Sequence, residues 1–153
     1  GSGMHALISH QEQMHLLRQD PGHIQTAAQE MFRFESPLPF FHRYASEELT
    51  FNKKRYPKGT KFGLLYGSAN RDPDQFPNAD KFVVSRTPNH HVAFGRGAHL
   101  CLGNHLSRLD MEVIFLSILK RTKHIELTGA QPSYKKSLSV RGPESLDVSL
   151  TPK

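Results

Sequence analysis

The stretch Phe94-Gly95-Arg96-Gly97-Ala98-His99-Leu100-Cys101-Leu102-Gly103 constrains this chain more than any other. It holds the single cysteine of the sequence, Cys101. Gly95, Gly97 and Gly103 surround that cysteine and open backbone conformations that other residues avoid. Directly afterwards Leu102, Leu106, Leu109, Val113 and Leu116 recur at three- and four-residue steps, and Ile114, Ile118 and Leu119 widen the stripe. The spacing predicts a helix over 102–121, with Lys120 and Arg121 in a last turn whose dipole favours cations. A thiol is thus presented from a tight turn where a helix begins, and the orphan N–H groups of a helix start favour an anion.

Three chemistries fit such a cysteine. It is an inert thiol, the common fate of a lone cysteine; or a metal ligand joined by histidines; or the thiolate ligand of haem iron. His90, His91, His99 and His105 stand close enough in sequence to serve the second, yet H-x-C-x3-H matches no strong zinc spacing. A single cysteine excludes an internal disulfide and so gives no sign of secretion.

With 153 residues the chain can bury one sizeable core, and 37% hydrophobic content is ordinary for a globular domain. The formal net charge of +6 suits an acidic partner surface or nucleic acid. No apolar run approaches membrane-spanning length and no signal-peptide pattern is visible, so the chain is expected to be cytoplasmic. Gly1-Ser2-Gly3 ahead of Met4 reads as an expression remnant outside the fold, leaving 4–153 as a single domain.

Along the chain, Ala6, Leu7, Ile8, Met14, Leu16 and Leu17 predict a helix over 5–19. Asp20 and Pro21 cap and open a second helix over 21–35, with Ile24, Ala27, Ala28, Met31 and Phe32 as its buried stripe. Glu30 and Arg33 share a face of it, and an isolated pair of that kind is ordinarily exposed and worth a few tenths of a kcal/mol. Pro37 ends the helix. Residues 48–51, Tyr56 and 62–66 read as strands, and Lys53-Lys54-Arg55 as a solvated turn. From Ala69 to Pro88, Asn70, Asp72, Asp74, Asn78 and Asp80 among prolines predict a long loop, anchored by Phe76, Phe82 and Val83. Arg71 and Arg86 are candidates to bind its carbonyls. Weak alternation from Ile125 to Leu150 predicts short strands.

The cysteine stretch resembles the haem-binding loop of the cytochrome P-450 family, F-G-x-G-x-H-x-C-x-G, with bacterial-type flanking motifs. Glu30-x-x-Arg33 followed by Ser36-Pro37 resembles the family's E-x-x-R helix, and His42-Arg43 its next strand. Ala69-Asn70-Arg71-Asp72-Pro73 with Phe76-Pro77 resembles the approach to the family's meander loop, and 82–86 its end. Leu106-Ser107-Arg108-Leu109 resembles the start of the helix behind the haem. The motifs follow the family's order and cover Met4 to about Leu150.

The resemblance implies a mixed α+β fold, the C-terminal part of the P-450 architecture: helices, small antiparallel sheets, a meander loop and the cysteine loop. It implies haem b (iron protoporphyrin IX) with Cys101 as axial iron ligand, His99 and Arg43 at its propionates, Phe94 beside the sulfur, and Gly95, Gly97 and Gly103 shaping the loop. Glu30, Arg33 and Arg86 would form a buried charge triad, and Leu38, Pro39, Phe40 and Phe41 would run near substrate. Arg96, Arg108, Lys120 and Arg121 would offer a basic face to an acidic electron donor of ferredoxin or flavodoxin type, a reading preferred to nucleic acid.

The family's distal helix, with its acid and alcohol for oxygen activation, finds no counterpart ahead of Met4. The expectation is therefore a haem-binding portion of a monooxygenase that lacks turnover by itself and holds no catalytic residue of its own. Its open distal face would invite self-association or a complementing chain. The alternative is a stand-alone or degenerate haem-binding module without catalysis.

Overall fold

The computed structural model describes residues 1–137 and 139–153. Its element order is α1 (Ser2–Ser9), α2 (Gln11–Gln19), a 3-10 turn at Pro21–His23 running into α3 (Ile24–Phe34), then β1 (Phe41–Tyr44), β2 (Leu49–Phe51), β3 (Lys54–Tyr56) and β4 (Lys61–Leu64). After the short α4 (Tyr66–Ala69) comes a long irregular segment, then α5 (Asn104–Arg121), β5 (Thr122–Leu127) and β6 (Val148–Pro152). The mixed α+β class expected from the sequence is the one observed.

One expected helix, 5–19, is two. His10 Nδ1 donates to the Ala6 carbonyl at 2.7 Å, and the His10 backbone leaves the helical region at φ −125°, ψ 72°. A side chain that takes a carbonyl of the helical ladder breaks the helix there. Ser2 and Gly3, expected to lie outside the fold, belong to α1, and Gly3 is buried against Met31 and Met111. Asp20 caps as its sequence position suggests, accepting from Gly22 N at 2.9 Å.

The core joins α1, α2 and α3 to one side of α5 and to β5. Leu7, Leu17, Ala27, Met31, Phe115, Leu119 and Ile125 meet there, with Phe82 and Val84 from the long segment. The anchors of that segment are Phe76, Phe82 and Val84; Val83 is only half-buried, because the backbone N–H of Val83 turns to Glu30 instead. Among the described residues the strands form three two-stranded antiparallel sheets: β1 with β4, β2 with β3, and β5 with β6. In the first, Arg43 stands opposite Phe62 and Phe41 opposite Leu64. Asn52 and Lys53, both at positive φ, make the tight β2–β3 turn, which places the basic run at an exposed hairpin tip.

Helix α5 departs most from expectation. Only Asn104, Phe115 and Leu119 are buried in it. Of the predicted apolar stripe, Leu106, Leu109, Val113 and Ile114 are more than half exposed and Leu102 lies ahead of the helix, whereas Leu119 is buried. Apolar side chains therefore stand on both sides of the helix, the pattern of one meant to be covered all round.

Candidate functional site

The cysteine loop leaves the long segment at Val92. Gly95 N donates to the Val92 carbonyl at 2.9 Å, Leu100 N to Gly97 at 3.0 Å, and Cys101 N to Phe94 at 2.9 Å. These bonds nest one turn inside another and fold the stretch back on itself. Gly95 and Gly97 hold φ of +69° and +66°, the left-handed region where a side chain is strained. A Cβ on Gly95 would also stand 3.2 Å from the His99 carbonyl, whereas one on Gly97 would meet nothing. Gly103 has an ordinary φ of −82° and caps α5.

Cys101 is a free, exposed thiol. It lies ahead of α5 by nearly a full turn of chain, since the helix begins at Asn104 and not at 102. Asn104 accounts for that start: its Nδ2 donates to the Cys101 carbonyl at 2.7 Å, and its own N–H reaches the same oxygen. The thiol opens onto a cavity of about 400 Å³ lined by Phe32, Pro37, Leu38, Phe41, Arg43, Tyr66, Ala93, Phe94, His99 and Ser107 among others. The walls are apolar, and the polar side chains are Arg43, His99, Tyr66 and Ser107.

Arg43, Phe94, Gly95, His99 and Cys101 are thus brought to one cavity. The Arg43 guanidinium lies 5.0 Å from the centre of the Phe41 ring and donates to the His42 carbonyl. Leu38 and Phe41 line the same cavity, but Pro39 and Phe40 face another, with Leu65, Gly67 and Arg71. Their backbone explains the division, because Pro39 O accepts from Gly67 N at the mouth of that second space. Phe32, Pro37, Tyr66, Ala93 and Ser107 are the lining residues that sequence reasoning did not place at the site; nothing in their local spacing distinguishes them from core or loop residues.

Glu30, Arg33 and Arg86 meet below this cavity. Glu30 and Arg33 are fully buried, with Arg33 Nε and Nη2 donating to the carboxylate at 2.7 and 2.8 Å. Arg86 Nε adds 3.1 and 3.2 Å contacts to the two oxygens, and Val83 N and Asn89 Nδ2 complete the shell. Arg33 Nη1 reaches the carbonyls of Asn70 and Ala79, and Arg86 those of Pro77, Asn78 and Lys81. Arg71, in contrast, binds no loop carbonyl: it donates to the Phe34 carbonyl at the end of α3 and, within the loop, to the Asp80 carboxylate at 3.3 Å.

The four cations expected to make a basic face do not form one cluster. Lys120 and Arg121 end the 18-residue α5, roughly 24 Å along its axis from Asn104. Arg96 stays exposed beside the loop, while Arg108 is half-buried with its guanidinium carbon 5.3 Å from the centre of the Phe94 ring. No helix among the described residues is long and apolar enough to cross a membrane.

The model of the Cytochrome P450 family matches residues 6–150. The chain is 40% identical over 154 residues to the polyketide biosynthesis cytochrome P450 PksS of Bacillus subtilis (strain 168), covering 99% of this chain and 38% of that protein. The solved structure of PksS, from the same organism, superposes with a TM-score of 0.93, covering 99% of this chain and 40% of that one. A second structure, P450BioI in complex with an acyl carrier protein carrying hexadec-9Z-enoic acid, gives a TM-score of 0.93 at 36% identity, over 97% of this chain and 39% of that one. The chain thus spans well under half the length of these relatives. On the family match and these likenesses together, this chain belongs to the cytochrome P450 family, whose members carry haem.

Proposed function

We propose that this chain is the haem-binding, C-terminal portion of a P450-type monooxygenase acting on a small organic substrate. One observation carries the proposal: the only thiol is exposed at the floor of an apolar cavity whose polar rim is Arg43 and His99. That donor set suits iron protoporphyrin IX, haem b. It pairs a soft sulfur for iron with apolar walls for a flat ring and hydrogen-bond donors, Arg43 and His99, for its two carboxylates. Among the described residues no group of three His, Cys, Asp or Glu offers a competing metal site.

In this reading Cys101 would hold the haem iron through its sulfur, and haem, when bound, would supply the oxygen chemistry. Arg43 would receive one propionate and His99 the other. Phe94 would pack beside the sulfur once haem is bound, and limited solvent access is one lever on the iron's potential. The turns at Gly95 and Gly97 keep the sulfur forward, and Gly103 leaves room where α5 begins. Leu38 and Phe41 contact substrate, with Pro39 and Phe40 holding their strand. Glu30, Arg33 and Arg86 keep the long segment in place beneath the site.

An acidic electron donor of ferredoxin or flavodoxin type would dock at the loop face, where Arg96 is the exposed cation. The open distal face of the cavity would be covered by a complementing chain segment or by self-association, and turnover would need that cover, since water must be excluded from the site. The outward apolar side of α5 is a second surface that association would bury. A carrier protein brings the acyl group in the P450BioI complex, and an acyl group on a carrier is one candidate substrate form here. Haem titration tests the proposal: saturable uptake at one haem per chain is expected. Failure to take up haem would overturn it, and oxidation of a substrate by this chain alone would overturn the requirement for cover.

A further inference from the structure

Two consecutive backbone N–H groups, those of Val92 and Ala93, sit where the long segment hands over to the cysteine loop. Neither is paired within a helix or sheet. Val92 N donates to Asn70 Oδ1 at 2.7 Å, and Ala93 N to His91 Nδ1 at 3.2 Å. His91 is in turn fixed at its far side, with Nε2 3.0 Å from Gln29 Oε1 on α3. Its ring packs against the contacting pair Phe32 of α3 and Phe94 of the loop, with centroids 6.3 and 5.8 Å away.

The two ring contacts define one protonation state. An acceptor at Nδ1 and a donor at Nε2 together require the neutral imidazole with its proton on Nε2. The surroundings enforce it: burial foremost, then Arg108 of α5 and Arg33 of α3, against Glu30, hold His91 down at about 4. A histidine whose nitrogens are both engaged this way works as a rigid strut between two elements.

We propose that His91 is a positioning residue for the thiol loop, a neutral imidazole that ties the Ala93 N–H to Gln29 of α3 and so fixes where Phe94 and Cys101 stand. It deepens the haem-thiolate reading and rests on it for its purpose. Through Ala93 it sets the residue before Phe94; the Phe94 carbonyl then receives the N–H of Cys101 at 2.9 Å. The strut thereby reaches the sulfur in two steps without touching it. Asn70 holds the neighbouring N–H, and its own Nδ2 is tied to Ser36 Oγ at 2.7 Å, so the loop entrance is mounted on α3 and on the turn after it.

Amide hydrogen exchange on the haem-free chain tests the proposal, read over residues 92–95 with α3 as internal reference. His91→Leu is expected to speed exchange there roughly fivefold or more, the effect of losing one net hydrogen bond. His91→Asn is expected to restore protection, because an asparagine oxygen can accept the same N–H two residues on. Unchanged exchange in His91→Leu, or no rescue by His91→Asn, overturns the role. If His91→Leu also loses protection in α3, Gln29→Leu decides: faster exchange at 92–95 alone supports the strut, and unchanged exchange overturns it. The haem-loaded proteins separate the two readings. A wild-type chain without a thiolate-type ferrous–carbon monoxide spectrum sinks the haem reading, and the exchange rates still decide the strut by themselves. A His91→Leu chain that keeps that spectrum in full sinks the positioning role.

Discussion

Arg86 Nε lies 3.1 Å from Glu30 Oε2, joining residues 56 positions apart, and this contact ties the long irregular segment to α3. Glu30 is fully buried and takes both arginines, so its charge has no route to water. Removing it leaves Arg33 as a buried cation without a counter-ion.

Glu30→Gln is accordingly expected to cost about 3–5 kcal/mol, the scale for breaking a buried pair from one side. Urea denaturation of the chain measures it. A loss below about 1 kcal/mol would mean that the backbone carbonyls around Arg33 and Arg86 satisfy the two cations by themselves.

His91 makes stability depend on pH. Its pKa falls from 6.5 in the unfolded chain to about 4 in the fold, so the unfolded chain binds more protons between those values. Stability is then complete above about 6.5 and declines as pH falls towards 4, by an amount on the order of 3 kcal/mol. Thermal melts across that window measure the slope, and His91→Asn should flatten it. An equal slope in the variant would place the titration elsewhere.

The two glycines before Cys101 should respond differently to a methyl group. Gly97→Ala costs only the strain of a left-handed φ, about 1–2 kcal/mol. Gly95→Ala carries the same strain and must also push the His99 carbonyl away from 3.2 Å. The expected order, Gly95→Ala less stable and weaker in haem uptake than Gly97→Ala, is read from melting temperature and titration. The reverse order would contradict the turn geometry.

Much of this fold is legible in the sequence, for physical reasons. Asp20-Pro21 marks a helix start because capping is local, and the strands expected at 48–51 and 62–66 show because their residue types favour extended chain. The helix break at His10 is not legible, since a histidine that captures the carbonyl four residues back looks like any other polar residue. The stripe of α5 is plainly apolar, but periodicity states that a face wants cover, not whether this chain supplies it. The struts Asn70 and His91 stand in the sequence only as a turn residue and a spare histidine, because their partners lie on distant segments.

The outer side of α5 gives the fourth prediction. Leu106, Leu109 and Val113 are 63%, 55% and 57% exposed, so exchanging each for Gln should change chain stability by no more than about 0.5 kcal/mol. Self-association should fall in the triple variant, as sedimentation velocity would record. Unchanged association would move the contact to another face.

The central claim is that Cys101 is the haem iron ligand, and the most direct measurement is the ferrous–carbon monoxide spectrum of the haem-loaded chain beside that of Cys101→Ser. The wild-type chain should show the red-shifted Soret band of thiolate ligation, and the serine variant should lose it while remaining folded. The same band in both proteins, or its absence from the wild-type chain after stoichiometric haem uptake, would contradict the assignment.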